Sequence, residues 1–215
     1  LESIDKPATK DTDGPSGFNT NVTGGNGLKA VCYPSSTVIA QTWDWYAVYQ
    51  VGVAIGIEGN AIGVNGWYGP GANTHRSAMG GRNFEYYSED PLLTGKMAIA
   101  MVDGIQSNNV GTSVKHFAAN SQETNRKDND VIISERALRE MYLKGFEMVV
   151  KESQPWTIMT SYNFINGEHA AESHRLLTDI LRGEWGFEGA VMTDWGGGYD
   201  DAAIVRAGNE MIQPG

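Results

Sequence analysis

The sequence predicts an α/β protein built on a parallel sheet. Three observations carry that expectation. Short apolar runs of strand length alternate with segments of helical apolar spacing. The helical segments open on Ser or Asp, and the clearest stops are at Gly. Charged and hydroxyl-bearing side chains gather where the strands end. At 215 residues the chain can bury one good core, so residues 1–215 are expected to form a single domain.

The elements follow in order. Residues 1–30 are polar, with Asp13-Gly14-Pro15 as a turn and Thr23 to Gly27 as a Gly-rich loop. Residues 43–57 carry apolar positions at helical spacing and lead into a short strand near 62–68. Asp90 with Pro91 opens a helix to about Gln106, and residues 112–118 form a strand. Ser134 caps a helix with a stripe of Leu138, Met141, Tyr142, Phe146, Val149 and Val150, flanked by Glu140–Lys144 and Glu147–Lys151 pairs. Residues 157–162 make the next strand. Ser173 caps a helix whose stripe is Leu176, Leu177, Ile180, Leu181 and Trp185, stopped by Gly186. A strand then runs into Asp194, a last helix covers 199–207, and Met211-Ile212 form a short strand.

Alternation of this kind is satisfied by a closed (β/α) barrel or by an open doubly wound sheet. In either, Lys115-His116, Tyr162 and Asp194 collect at one mouth, because all sit at C-terminal strand ends. Asp194 stands out, following an apolar strand and preceding Trp195 and three glycines. A rigid strand would hold the carboxylate, the indole could stack on a ligand, and the glycines let the backbone turn. Each residue also has a plainer reading. Asp194 could cap a turn, Lys115-His116 could be a buried pair satisfied by backbone, and Tyr162 could be core. Arg82, Glu85 and Arg126 could be solvated.

The composition excludes several classes. A net charge of −10 argues against nucleic acid or an anionic membrane as partner. One cysteine, Cys32, permits no internal disulfide and no Cys-rich metal site. The four histidines lack metal-site spacing, so no metal and no cofactor is expected. Gly24 to Gly27 does not open a helix after a strand, and neither Gly-x-x-x-x-Gly-Lys nor Gly-x-Ser-x-Gly occurs. No apolar run reaches membrane-spanning length, and no signal peptide opens the chain. Asn21-Val22-Thr23 is a glycosylation sequon whose meaning depends on compartment. The compartment stays open, cytoplasm being favoured over secretion, and a homo-oligomer is compatible with the sequence.

The strand-end residues suit sugar chemistry. A hexose needs Asp, Arg, Lys and His groups round its edge and an aromatic ring against its face. A retaining glycosidase adds two carboxyl groups about 5–5.5 Å apart, one a nucleophile and one an acid/base. Cationic neighbours favour an ionised nucleophile.

Six motifs resemble glycoside hydrolase family 3, the β-glucosidase branch, along nearly the whole chain. They are Thr-Asp-Gly-Pro at 12–15, Trp-Tyr-Gly-Pro-Gly-Ala-Asn at 67–73 and Gly-Arg-Asn-Phe-Glu-Tyr-Tyr-Ser-Glu-Asp-Pro at 81–91. Lys-His-Phe-Ala-Ala-Asn-Ser-Gln-Glu-Thr-Asn-Arg at 115–126, Met-Thr-Ser-Tyr-Asn at 159–163 and Val-Met-Thr-Asp-Trp at 191–195 complete them. The closing Ala-Gly-Asn-Glu-Met-Ile-Gln-Pro-Gly at 207–215 resembles the family's domain-closing segment.

The resemblance implies a TIM-type (β/α) barrel, incomplete or irregular, from a retaining exo-acting β-glucosidase. Asp194 would be the nucleophile. Asp13, Arg82, Lys115, His116, Arg126 and Tyr162 would hold the sugar hydroxyls, with Trp195 beside the ring. The family's N-acetylglucosaminidases carry Lys-His-Phe-Pro-Gly-His-Gly. The chain has Asn120 in place of that second His, which disfavours hexosaminidase activity. The family's β-glucosidases keep the acid/base Glu on a second, α/β-sandwich domain, on either side of the barrel. That domain and a β-glucoside or short oligosaccharide are the implied partners. Glu85 and Glu123 are nearby carboxylates, but the resemblance gives neither the acid/base role. The competing reading is a carbohydrate-binding barrel or pseudoenzyme fragment without turnover of its own.

Overall fold

A computed structural model describes residues 8–19 and 30–214. The Gly-rich loop and the sequon at Asn21 lie outside the described residues. Five parallel strands make the main sheet, in the order β1 (Asp11–Asp13), β2 (Gly66–Tyr68), β3 (Gly111–Phe117), β5 (Thr157–Thr160) and β8 (Ala190–Met192). Neighbours follow chain order throughout. A doubly wound sheet reverses its order at a switch point, whereas a (β/α) barrel adds each strand on the same side. The sheet is therefore an arc of an α/β barrel, and among the described residues it does not close. A single parallel bridge, Met192 to Met211, continues the arc beyond β8.

The expected 211–212 strand is thus reduced to one bridge. Gln213-Pro214 follows it, and proline cannot donate to a ladder. Several elements arise where the sequence reading placed none, among them an edge strand, a short helix and a small second sheet. Asp11–Asp13 is an edge strand in register with β2, pairing Asp13 with Tyr68. Ser36–Ala40 is a short helix, α1, tied to the 83–86 loop by the Thr37 hydroxyl, which donates to the Asn83 and Tyr86 carbonyls. A second, small sheet pairs β4 (Asp130–Val131) with a hairpin of β6 (Phe164–Ile165) and β7 (Glu168–His169). Asn166 and Gly167 turn that hairpin, both with positive φ, as a two-residue primed turn requires.

The helices mostly match their sequence signals. Helix α2 (Trp45–Ile62) starts at Asp44, which accepts from the Ala47 amide, and ends at Gly63 in the left-handed region. It runs past the expected limit of residue 57, so the strand after it starts only at Gly66. Helix α3 (Pro91–Gln106) begins with the Asp90 cap and Pro91. These two helices touch backbone to backbone. A Cβ on Gly104 would sit 2.4 Å from the Tyr49 carbonyl oxygen, and one on Gly52 2.7 Å from that of Met101.

After the Ser134 cap, residues Leu138–Tyr142 form a wide π-type turn before helix α4 (Lys144–Ser153). The Leu143 amide bonds the Leu138 carbonyl, five residues back. That extra residue rotates the face, so Leu143 enters the core and Met141 turns outward. The same shift leaves Glu140 paired with Arg136 instead of Lys144, while Glu147 holds both Lys144 and Lys151. Helix α5 (Arg175–Glu184) is also π-type and keeps its whole stripe buried. The Ser173 hydroxyl accepts from the Leu176 amide at its start. Helix α6 (Asp201–Ala207) is capped by Asp200.

Strand β3 is buried along its full length, as expected of a strand lying between helices and a barrel interior. Phe117 at its end packs edge-on against Phe146 and Trp185, joining strand and helix layers.

Candidate active site

The C-terminal ends of the strands surround a cavity of about 470 Å³. Asp13, Arg82, Lys115, His116, Arg126, Asp194 and Trp195 all line it, though they span 182 positions from Asp13 to Trp195. Tyr162 lies directly behind Asp194 and bonds to it. All eight residues singled out from the sequence therefore meet in one place. Asp11, Thr12, Asn19, Tyr68 and Met159 complete the lining, none of them singled out as a site residue from the sequence. Period-two geometry explains two of them. Asp11 and Asp13 share a face of β1, and Tyr68 points to the cavity because Trp67 is buried on the other face.

Asp194 follows β8 by two residues and is nearly buried. Its two oxygens differ. Oδ1 accepts from the Tyr162 hydroxyl at 2.9 Å and from the Trp195 amide at 2.7 Å. The Tyr162 hydroxyl also lies 2.9 Å from the Trp195 carbonyl, which shares its single proton. Oδ2 faces His116 Nε2 at 3.6 Å, beyond normal hydrogen-bond length. One oxygen is thus anchored and the other is directed at the cavity side with lone pairs to spare. Burial pushes the Tyr162 phenol well above its ordinary pKa, and the Asp194 charge adds to that. It stays a donor.

Lys115 is fully buried. Its ammonium bonds Asp13 Oδ1 at 2.6 Å and stands 3.6 Å from Glu85 Oε2. Glu85 also holds the Arg82 guanidinium through its other oxygen. Glu85 is therefore a buried counter-ion gripped by two cations, not a group free to enter the cavity. Glu123 is engaged too, by Arg126 at 2.8 Å and by the Asn120 amide at 3.2 Å. Arg126 is more than a solvated charge, since its guanidinium lies 4.4 Å over the Tyr162 ring.

His116 is buried and its amide bonds Asn73 Oδ1 at 2.7 Å. Burial, reinforced by Arg82, Lys115 and Arg126, drives its pKa well below 6.5, so the imidazole is neutral. Also on the cavity wall, Trp195 and Tyr68 meet edge-on, 5.2 Å between centroids. Burial with the Asp11 and Asp13 charges pushes the Tyr68 phenol up to about 12. The arrangement combines one anchored carboxylate, three cations and two aromatic rings, which suits a polyhydroxylated ring ligand.

The fold and this pocket define an arc of an α/β barrel with a polar, aromatic-rimmed cavity at its strand ends. The Glycosyl hydrolase family 3 N terminal domain model matches residues 7–211, and the chain belongs to that family. It is 47% identical to an exo-alpha-(1->6)-L-arabinopyranosidase of Bifidobacterium longum, covering 100% of this chain and 29% of that protein. It is 48% identical to beta-glucosidase A of Butyrivibrio fibrisolvens, covering 98% of this chain and 25% of that protein. Beta-glucosidase 3B of Thermotoga neapolitana, solved with glucose, superposes with a TM-score of 0.95 at 46% identity, over 100% of this chain and 30% of that one. The chain thus spans a quarter to a third of the length of these relatives.

Proposed function

We propose that residues 1–215 form one barrel domain that supplies the nucleophile and the sugar-binding rim of a retaining β-glucosidase. The observation that carries this reading is the asymmetry of Asp194. Oδ1 is tied down by Tyr162 and Trp195, and Oδ2 faces the cavity. Oδ2 attacks the anomeric carbon of a terminal β-glucosyl residue. The C–O bond to the leaving group breaks as the bond to Oδ2 forms, and a covalent glycosyl-Asp194 ester results. Water then attacks the same carbon, loses a proton to the acid/base and releases Asp194.

Asp13, Arg82, Lys115, His116, Arg126 and Tyr162 hold the sugar hydroxyls or support the groups that do, and Trp195 packs beside the ring. Relatives are named for β-glucosides and for an α-L-arabinopyranoside, and most of the similar ones carry the first name. We therefore assign a β-glucoside as substrate.

Departure of an unactivated alcohol needs a proton. Glu85 and Glu123 are both held by cations, which supports placing the acid/base in the part of the enzyme that the longer relatives have beyond this match. The test is a pair of substrates. The 215-residue chain should cleave 2,4-dinitrophenyl β-glucoside, whose leaving group needs no proton. On cellobiose it should fall short of a two-domain relative by a further factor of about 10²–10⁴. Cellobiose turnover at ordinary enzyme rates would place the acid/base inside residues 1–215 and refute this division. Sugar binding without any turnover of the dinitrophenyl substrate would favour a carbohydrate-binding barrel.

A further inference from the structure

A buried chain of three side chains leads away from the far edge of His116. The Asn120 amide donates to the Tyr86 hydroxyl at 3.0 Å. The Tyr86 hydroxyl stands 3.0 Å from His116 Nδ1. All three residues are buried. Their proton directions can be worked out in order. The Asn120 nitrogen is a donor only, and its second contact, the Glu123 carboxylate at 3.2 Å, fixes the amide that way round. Tyr86 therefore accepts from Asn120. Nδ1 is the one acceptor recorded for the Tyr86 proton among the described residues, so the hydroxyl donates there. A neutral imidazole that accepts at Nδ1 carries its hydrogen on Nε2. That hydrogen faces Asp194 Oδ2.

We infer that Tyr86, oriented by Asn120, is a positioning residue that holds His116 as the Nε2–H tautomer beside the reactive oxygen of Asp194. The alternative tautomer would turn a nitrogen lone pair toward the Oδ2 lone pairs, which is repulsive. An imidazolium would bind Oδ2 as an ion pair and blunt it as a nucleophile. The neutral Nε2–H form does neither, and leaves a donor available to Oδ2 or to a sugar hydroxyl. The role given to Oδ2 rests on the proposed function, whereas the tautomer does not. Asn120 occupies the position of the second His in the family's Lys-His-Phe-Pro-Gly-His-Gly variant, so a site that differs between branches is here turned inward to orient a neighbour.

Nitrogen-15 spectra of imidazole-labelled protein test this directly. His116 is assigned among four histidines by the signal lost in His116→Gln. The wild type at pH 7 should show a protonated Nε2 and an unprotonated Nδ1. In Tyr86→Phe the donor to Nδ1 is gone, and the tautomers should mix. In Asn120→Asp the carboxylate accepts a hydrogen bond from the Tyr86 hydroxyl, so the Tyr86 oxygen accepts from Nδ1–H and the tautomer inverts. With either variant kcat/KM on 2,4-dinitrophenyl β-glucoside should fall about tenfold to hundredfold, the usual cost of losing an outer partner of a site group. A wild-type spectrum with Nδ1 protonated, alone or together with Nε2, would overturn the inference even if neither variant folds. So would an Nε2–H signal unmoved in both variants. A correct tautomer with no turnover by the wild type would instead count against the proposed function.

Discussion

The cavity has two unlike walls. On one, the ends of β3, β5 and β8 present Lys115, His116, Tyr162 and Asp194, all buried and cross-bonded. On the other, the edge strand β1 and the Trp195 side chain are open, with the Asp13 side chain 54% exposed and Trp195 42% exposed. On the proposed function the closed wall would fix the reacting atoms, where a small misplacement is costly, and the open wall would add hydroxyl contacts and a stacking face. Burial would then set groups that weigh on both stability and turnover apart from groups that weigh mainly on binding.

Lys115 and Asp13 are partners in one ion pair but differ sharply in burial, so they give the sharpest contrast. Lys115→Met removes a buried charge from between Glu85 and Asp13. It should lower unfolding free energy by about 3–5 kcal/mol in a denaturant titration. Asp13→Ala removes the exposed partner and should cost about 1 kcal/mol or less while raising KM for an aryl β-glucoside. Equal stability losses would show that the two walls are not distinct.

Tyr162→Phe deletes one of the two hydrogen bonds to Asp194 Oδ1. A bond to a charged group is worth about 1.5–3 kcal/mol. The variant should lose roughly ten- to hundredfold in kcat on 2,4-dinitrophenyl β-glucoside and lower the unfolding free energy by about 1.5–3 kcal/mol. An unchanged kcat would remove Tyr162 from the closed wall's function.

A smaller effect follows from His116. Its pKa in the fold lies well below 6.5, so the unfolded chain binds more protons between the two values. The stability this group contributes is present above about pH 6.5 and is lost as pH falls toward the folded pKa. His169, also lowered by burial, adds to the slope. His116→Gln should flatten the loss of thermal midpoint between pH 7 and pH 5. An unaltered slope would mean that His116 is already charged in the fold.

The strongest signals in the sequence were those tied to local chemistry. Asp90 and Ser134 accept from amides in the first turns of their helical segments, and Gly186 takes left-handed φ at the end of its own. Strand-end position was enough to bring Lys115, His116, Tyr162 and Asp194 together. The choice of barrel over open sheet needed strand order, which local pattern does not encode. Asp11–Asp13 escaped because a three-residue edge strand next to Gly14-Pro15 reads as a turn. The face shift at Leu138–Tyr142 escaped because a π-type turn breaks the 3.6-residue period on which helical stripes depend. The 164–169 hairpin went unread, although Asn166-Gly167 is a strong two-residue turn signal. Tyr86 reaches His116 through a tertiary contact alone, and no spacing in the sequence joins the two.

The most direct test of the account is to trap the ester. The protein is incubated with 2,4-dinitrophenyl 2-deoxy-2-fluoro-β-glucoside, digested, and its peptides are sequenced by mass spectrometry. The account predicts one fluoroglucosyl adduct, on the carboxylate of Asp194, and none in Asp194→Asn, which should also lose about a thousandfold or more in turnover. An adduct on another residue, or an unlabelled protein that still binds the sugar, would contradict it.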